Sequence, residues 1–159
     1  MNIALGSDHR GLDAAQTLEK RLREQGHNVQ VLGRCDGESC DYPDQAYLVG
    51  KAVGDGQAER GMLICGSGIG MAMAANKMPG VRAALVHDLN GAEMSRRHND
   101  ANVLCLSGDE IDDQQLFTIV DKWLTTEFEG GRHARRVNKI TAIERGEDPA
   151  KSVTEPAST

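Results

Sequence analysis

The sequence predicts an α/β protein: a five-stranded parallel sheet covered by helices on both faces, with one extra helix at the C-terminal end. Three observations predict it. Short apolar runs alternate with longer amphipathic ones along the chain, the pattern of strands joined by crossover helices. The apolar runs Met62–Cys65 and Val103–Leu106 are unbroken by polar residues, as strands buried on both faces require. The last amphipathic stretch has no strand after it.

The elements follow in order. Ile3–Gly6 reads as the first strand, and Leu12 to Gln25 as a helix whose Leu12, Ala15, Leu18 and Leu22 share one stripe, with Gly26 as its stop. Val29–Leu32 is the second strand, followed by a polar loop to Pro43 and a helix over Asp44–Val53. Met62–Cys65 is the third strand. It runs into Gly66-Ser67-Gly68-Ile69-Gly70 and a small-residue helix to Lys77. Arg82–Val86 and Val103–Leu106 are strands four and five, separated by a helix over Asn90–His98. A helix over Asp112–Phe128 turns Leu116, Ile119 and Trp123 inward. The final helix, Ala134–Arg145, carries Val137, Ile140 and Ile143 and either caps its own sheet or packs on a neighbouring subunit. Residues 1–145 are expected to form the domain. The stretch 146–159 is expected to be a disordered tail, since it holds two of the four prolines and few apolar residues.

Composition narrows the function. Hydrophobic residues make up 39% of the 159, which suits a soluble globular core. The formal charge of −6 argues against binding a nucleic acid or an anionic membrane through the overall field. No apolar run approaches the ~20 residues of a membrane helix, and no signal peptide is visible. Four cysteines are too few for a disulfide scaffold, so a reduced, cytoplasmic protein is expected. Glycine is abundant at 18 residues and aromatics are only 3%, a composition that points to turns where backbone approaches something closely.

In an open parallel sheet, ligands bind beyond the carboxyl ends of the strands where the chain reverses direction across the sheet. Two loops would meet there if strands one and three are neighbours. Ser7-Asp8-His9-Arg10-Gly11 gathers a carboxylate, an imidazole and a guanidinium. Cys65-Gly66-Ser67-Gly68-Ile69-Gly70 sets a thiol and a hydroxyl beside three glycines. The second is not a dinucleotide fingerprint, because Met71 stands where the third glycine belongs, and it lacks the lysine of a P-loop. What remains is unobstructed backbone N–H at a helix start, suited either to an anion or developing oxyanion, or to nothing more than a tight turn. Cys65 reads as an inert buried thiol or as a base favoured by the positive helix end. Cys105 reads as core. Cys35 and Cys40, with four residues between them in a loop, lack the second ligand pair of a zinc site. Two basic islands, Arg96-Arg97-His98 and Arg132-His133-Ala134-Arg135-Arg136, read as solvated helix ends or as anion sites. Arg132 and Arg136, spaced i, i+4, can clamp one phosphate.

Taken in order, Gly6-Ser7-Asp8-His9, Asp41-Tyr42-Pro43, Cys65-Gly66-Ser67-Gly68-Ile69-Gly70, Ala75-Asn76-Lys77, His98-Asn99-Asp100 and Glu129-Gly130-Gly131-Arg132-His133 resemble the ribose-5-phosphate isomerase B family, which also includes galactose-6-phosphate isomerase subunits. The resemblance runs from about Ile3 to Glu144. It implies a Rossmann-like three-layer α/β/α sandwich and a metal-independent aldose–ketose isomerase without cofactors. It also implies a homodimer or homotetramer with active sites at subunit interfaces, acting on a small sugar phosphate. By the same resemblance Cys65 is the base between C2 and C1, Ser67 shuttles the hydroxyl proton, and the backbone of Gly66, Gly68, Ile69 and Gly70 holds the enediolate. His98, with Asp8, opens the furanose. Tyr42 and Asn99 contact sugar hydroxyls, and His9, Arg132 and Arg136 bind phosphate.

One position departs from the family. Many relatives carry an arginine shortly after strand five where this chain has Asp109, an acid that repels a phosphate at close range. Ribose 5-phosphate is the first expected substrate, and another four- to six-carbon sugar phosphate, such as an allose, galactose or tetrulose phosphate, is the second. A non-catalytic nucleotide-binding module using the glycine loop and Asp88, or a purely structural protein, would leave the combination of Cys65, His98 and paired arginines without a use.

Overall fold

The computed structural model describes residues 1–33, Cys35 and 38–151. The elements alternate as β1 (Asn2–Ser7), α1 (Leu12–Glu24), β2 (Asn28–Val31), α2 (Tyr42–Gly54), β3 (Arg60–Cys65), α3 (Ile69–Ala75), β4 (Ala83–Leu85), α4 (Leu89–Arg97), β5 (Val103–Ser107), α5 (Asp113–Thr125) and α6 (Arg132–Glu144). The five strands form one parallel sheet in the order β2-β1-β3-β5-β4.

Side-chain alternation along the strands builds a core on each face. On one face Ile3, Leu5, Met62, Ile64, Leu104 and Leu106 meet α1, α4 and α5, with Trp123 fully buried among them. On the other Ala4, Leu63, Cys65, Val103 and Cys105 meet the alanine- and valine-rich inner sides of α2 and α3. This is the expected three-layer sandwich. The chain leaves β1 toward β2 and leaves β3 in the opposite direction. With right-handed crossovers, α1 and α3 therefore lie on opposite faces. The loops after β1 and β3 diverge and open a crevice at the carboxyl edge of the sheet.

Several boundaries move from the expected ones for local reasons. α2 begins at Tyr42, because Pro43 is tolerated in the first turn, where backbone N–H groups have no helical partner. α5 ends at Thr125, where Thr126 turns extended and its hydroxyl donates to the Lys122 carbonyl at 2.7 Å. The start of α5 carries a full capping box, Asp112 with Gln115. α6 begins at Arg132 rather than Ala134. Its expected apolar stripe is only partly covered: Val137 is buried, whereas Ile140 and Ile143 are 44% and 60% exposed.

Two expectations need correction. Cys35 and Cys40 form a disulfide, their Cα atoms 6.1 Å apart, where reduced thiols were expected. Separation along the chain carries no information on this, since a loop can bring any two nearby cysteines within bridging distance. Arg96, read as part of a solvated basic island, is 4% exposed; it donates to Asp100 at 2.8 Å and lies over the Trp123 ring. No helix among the described residues is long and apolar enough to cross a membrane. Of the expected tail, residues 152–159 lie outside the described part of the chain.

Candidate active site

The crevice is assembled from three strand ends. Register pairs Ser7 with Ile64 and Cys65 with Ser107, so β1, β3 and β5 finish side by side. After β1, the buried carboxylate of Asp8 accepts the N–H groups of Arg10 and Gly11 at 2.9 and 3.0 Å. One oxygen of Asp8 thus folds its own loop, an Asx-type turn that feeds the chain into α1. His9 is exposed on this loop, and its Nδ1 accepts the Cys40 N–H at 3.4 Å.

After β3, Cys65 is 5% exposed and its Sγ accepts the Gly68 N–H at 3.1 Å. Ser67 Oγ accepts the Ile69 N–H at 3.3 Å. Gly68 has φ +75°, and a Cβ there would lie 2.6 Å from Leu85 Cδ1 and 3.0 Å from the Leu106 carbonyl. Gly68→Ala is expected to cost about 1–3 kcal/mol through the left-handed backbone alone, and more from the contact with β5. A thermal-melt comparison with wild type checks it. At Gly70 a Cβ would come within 2.5 Å of the Tyr42 ring, so the phenol at the start of α2 lies directly on the glycine loop.

The loop after β5 holds the glycine loop from the other side. Ser107, fully buried, donates from Oγ to the Gly66 carbonyl at 2.5 Å and accepts the Glu110 N–H at 3.1 Å. The Gly108 N–H donates to the Cys65 carbonyl at 2.7 Å and the Asp109 N–H to the Gly66 carbonyl at 3.2 Å. Sequence reasoning passed over Ser107, although a hydroxyl closing an apolar strand was a signal available in the chain. The carboxylate of Asp109 does not stand alone: Arg10 meets it through Nε at 3.0 Å and Nη2 at 2.5 Å. Full burial, together with the Cys65 sulfur, pushes the Cys105 thiol far upward.

A second cluster occupies the opposite edge of the sheet. His98 caps the end of α4, and the turn after it is pinned at Asp100, whose φ of +46° is held by Arg82 at 2.9 Å and Arg96 at 2.8 Å. The His98 ring stacks on His133, centroids 4.1 Å apart and planes 1° from parallel. His133 is 2% exposed, and burial followed by the neighbouring His98 holds its pKa below the usual imidazole value. Glu129 lies 3.7 Å from His133 Nε2 and 4.0 Å from His98 Nε2. Its pKa is held low, first by its hydrogen bond from Arg97. Arg132 Nε lies 3.3 Å from His133 Nε2, and Arg136 follows one turn later on α6.

The structure thus brings Asp8, His9, Tyr42, Cys65, Gly66, Ser67, Gly68, Ile69 and Gly70 together at the carboxyl edge, and His98 and Asn99 with Arg132 at the amino edge. It does not bring the two groups together within one chain. β5 separates them, starting at Val103 just after the His98 turn and ending at Ser107 beside Cys65. Four residue steps at about 3.3 Å each place the edges on the order of 13 Å apart.

Among the described residues, His98, Glu129 and His133 form the one three-residue group of metal-ligating type. Their ligand atoms lie within 4.8 Å of one another, and one Glu129 oxygen, Oε2, is already taken by Arg97. A concavity of about 540 Å³ beside the starts of α4 and α5 is lined by Asp88, Asn90, Gln114 and Gln115 and by none of the crevice residues named above. Asp88 there accepts the Gly91 N–H at 2.7 Å as the cap of α4, a use that competes with the ribose contact of a nucleotide-binding module.

The Ribose/Galactose Isomerase family model matches residues 3–140. The solved structure of ribose-5-phosphate isomerase B from Clostridium thermocellum superposes with a TM-score of 0.90 at 45% identity, covering 92% of this chain and 99% of that one. The Mycoplasma genitalium ribose-5-phosphate isomerase B, solved with bound ribulose-5-phosphate, gives a TM-score of 0.85 at 43% identity over 91% of this chain and 96% of its own. The D-erythrulose-4-phosphate isomerase of Pectobacterium atrosepticum is 39% identical over 148 residues, 92% of this chain and 97% of the relative. With a match this long and a shared five-stranded fold, the chain belongs to the ribose/galactose isomerase family.

Proposed function

We propose that this isomerase interconverts ribose 5-phosphate and ribulose 5-phosphate through an enediolate, with Cys65 as the base and no metal ion. The observation that carries the reading is the Cys65 sulfur at the foot of the crevice, buried yet accepting the Gly68 N–H. Sulfur so placed takes the proton from C2 of the aldose and returns it to C1. The Ser67 hydroxyl passes the second proton between O1 and O2. Negative charge develops on those oxygens, and the backbone N–H groups of the loop from Gly66 to Gly70 stabilise it. His9 binds the phosphate at the far end of the substrate, and Tyr42 meets a sugar hydroxyl.

The remaining residues come from a second copy. His98, Asn99, Arg132 and Arg136 stand at the wrong edge of the sheet to serve the crevice of their own chain. A homodimer that sets one amino edge against the partner's carboxyl edge completes two sites by symmetry. The exposed Tyr47, Leu48, Met73, Ile140 and Ile143 suit such burial. In that arrangement His98, with Asp8, opens the furanose, Asn99 contacts a hydroxyl, and Arg132 and Arg136 clamp the phosphate.

A second substrate reading, another four- to six-carbon sugar phosphate, is favoured by Asp109 at the crevice and by the tetrulose-phosphate isomerase among the relatives. A coupled assay on ribose 5-phosphate, allose 6-phosphate, galactose 6-phosphate and erythrulose 4-phosphate, with and without EDTA, decides between them. The highest kcat/KM is expected on ribose 5-phosphate, unchanged by EDTA. A higher value on another sugar would reassign the substrate, and loss of activity with EDTA would overturn the metal-free mechanism.

A further inference from the structure

The ion pair between Arg10 and Asp109 has no role in the mechanism above, yet it lies directly on it. The pair bridges the loops after β1 and β5 across the end of β3. A Cβ on Gly66 would stand 2.8 Å from Arg10 Nε and 2.9 Å from Asp109 Oδ2, so both side chains rest on the first residue of the glycine loop. Asp109 is held from behind by its own N–H to the Gly66 carbonyl, and Arg10 by its N–H to Asp8. A single carboxylate oxygen, Oδ2, accepts both Nε and Nη2. Nη1 therefore has no partner among the described residues, and the Arg10 side chain is 58% exposed.

We propose that Arg10 is a specificity-determining residue that binds the substrate's phosphoryl group, and that Asp109 is the positioning residue that steadies it. The proposal rests on the sugar-phosphate reading given above. His9 and Arg10 are consecutive on the β1 loop, so a phosphate held by the imidazole lies within reach of the guanidinium beside it. An unpaired Asp109 at this place would repel a dianion. Paired, its charge is cancelled while the guanidinium keeps donors to spare, and arginine's planar fork matches a phosphate. The acid that reads in the sequence as an obstacle to phosphate thus becomes its indirect support. Because the pair is anchored at Gly66, next to the Cys65 base, the distance from base to guanidinium sets the length of sugar that spans them.

The test is steady-state kinetics, with inorganic phosphate as a competitive probe, on wild type, Arg10→Ala, Arg10→Lys, Asp109→Asn and the Arg10→Ala/Asp109→Asn double variant. Arg10→Ala is expected to raise KM for the preferred sugar phosphate and the phosphate inhibition constant together, by about 10-fold or more, with kcat within about 3-fold; Arg10→Lys recovers part of this. Asp109→Asn is expected to weaken phosphate binding by a smaller factor, and in the Arg10→Ala background, where the unpaired carboxylate repels the dianion, to strengthen it instead. Unchanged phosphate inhibition in Arg10→Ala, or a fall in kcat with no change in KM, would overturn the proposal. So would an Asp109→Asn substitution that still weakens phosphate binding in the Arg10→Ala background. Wild type inactive on every sugar phosphate would overturn the substrate reading instead, and phosphate binding measured by calorimetry on the same variants would still decide the role of Arg10.

Discussion

Replacing Cys65 with alanine is expected to lower kcat on the preferred sugar phosphate by about 10²- to 10⁴-fold, the usual contribution of a general base. At about 1.4 kcal/mol per tenfold, that is about 3–5.5 kcal/mol of lost transition-state stabilisation. KM is expected to move little, because the residues assigned to the phosphate and hydroxyls are untouched. The fold is expected to survive. Alanine leaves a small void and removes one N–H···S contact at the end of β3, a cost of about 1–2 kcal/mol. Cys65→Ser serves as the sharper control. It keeps an acceptor for the Gly68 N–H but offers a far weaker base, so it is expected to be nearly as inactive while melting close to wild type. Near-normal kcat in either variant, with a normal melting curve, would remove Cys65 from proton transfer. A readout independent of turnover is exchange of the C2 hydrogen with deuterated water, followed by NMR, which is expected to stop in both variants.

The second large effect comes from mixing two inactive proteins. Cys65→Ala disables the carboxyl edge of the sheet, and His98→Asn the amino edge. If each site draws one edge from each copy, a heterodimer of the two variants contains one site with both defects and one site with neither. Random reassociation of equal amounts makes about half the dimers mixed, and each carries one good site of two. Activity near one quarter of wild type is therefore expected after subunit exchange, from parents that retain almost none. If Cys65 and His98 served the same chain's site, every site in every mixture would carry a defect and no activity would return. Native mass spectrometry of the mixture, with one variant isotopically labelled, confirms that exchange has occurred. The result follows from geometry: β5 lies lengthwise between the two groups, and no side-chain rotation spans it.

Much of the fold was legible in the chain, and the reason is periodicity. Ile3, Leu5, Met62 and Ile64 alternate with Ala4, Leu63 and Cys65, and that alternation is itself the two-faced burial of a central strand. Leu18 and Leu22 on α1, and Leu116, Ile119 and Trp123 on α5, repeat at helical spacing, so they announce which side faces the sheet. The ends of elements were less legible, because they depend on caps and on what the neighbouring loop needs. Thr125 ends α5 where the chain turns back to bond Glu129 to the Arg97 carbonyl, a partner about thirty residues away that no local pattern contains.

The candidate site divides in the same way. The abundance of glycine pointed toward close backbone contacts, and the glycine loop beside Cys65 was visible because its chemistry is local: thiol, hydroxyl and bare backbone lie within six consecutive residues. What the sequence by itself determined was the sheet, the family and the residues that carry reactive groups. What only the tertiary structure decided was who meets whom. It bonded Cys35 to Cys40, buried Arg96 over Trp123, set Arg10 against Asp109, and stacked His98 on His133 at the far edge from Cys65. Those pairings join residues brought together by crossovers and loop paths, and they form only once the sheet order is set. Periodicity is a property of neighbours along the chain, whereas an ion pair across about a hundred residues is a property of the folded molecule.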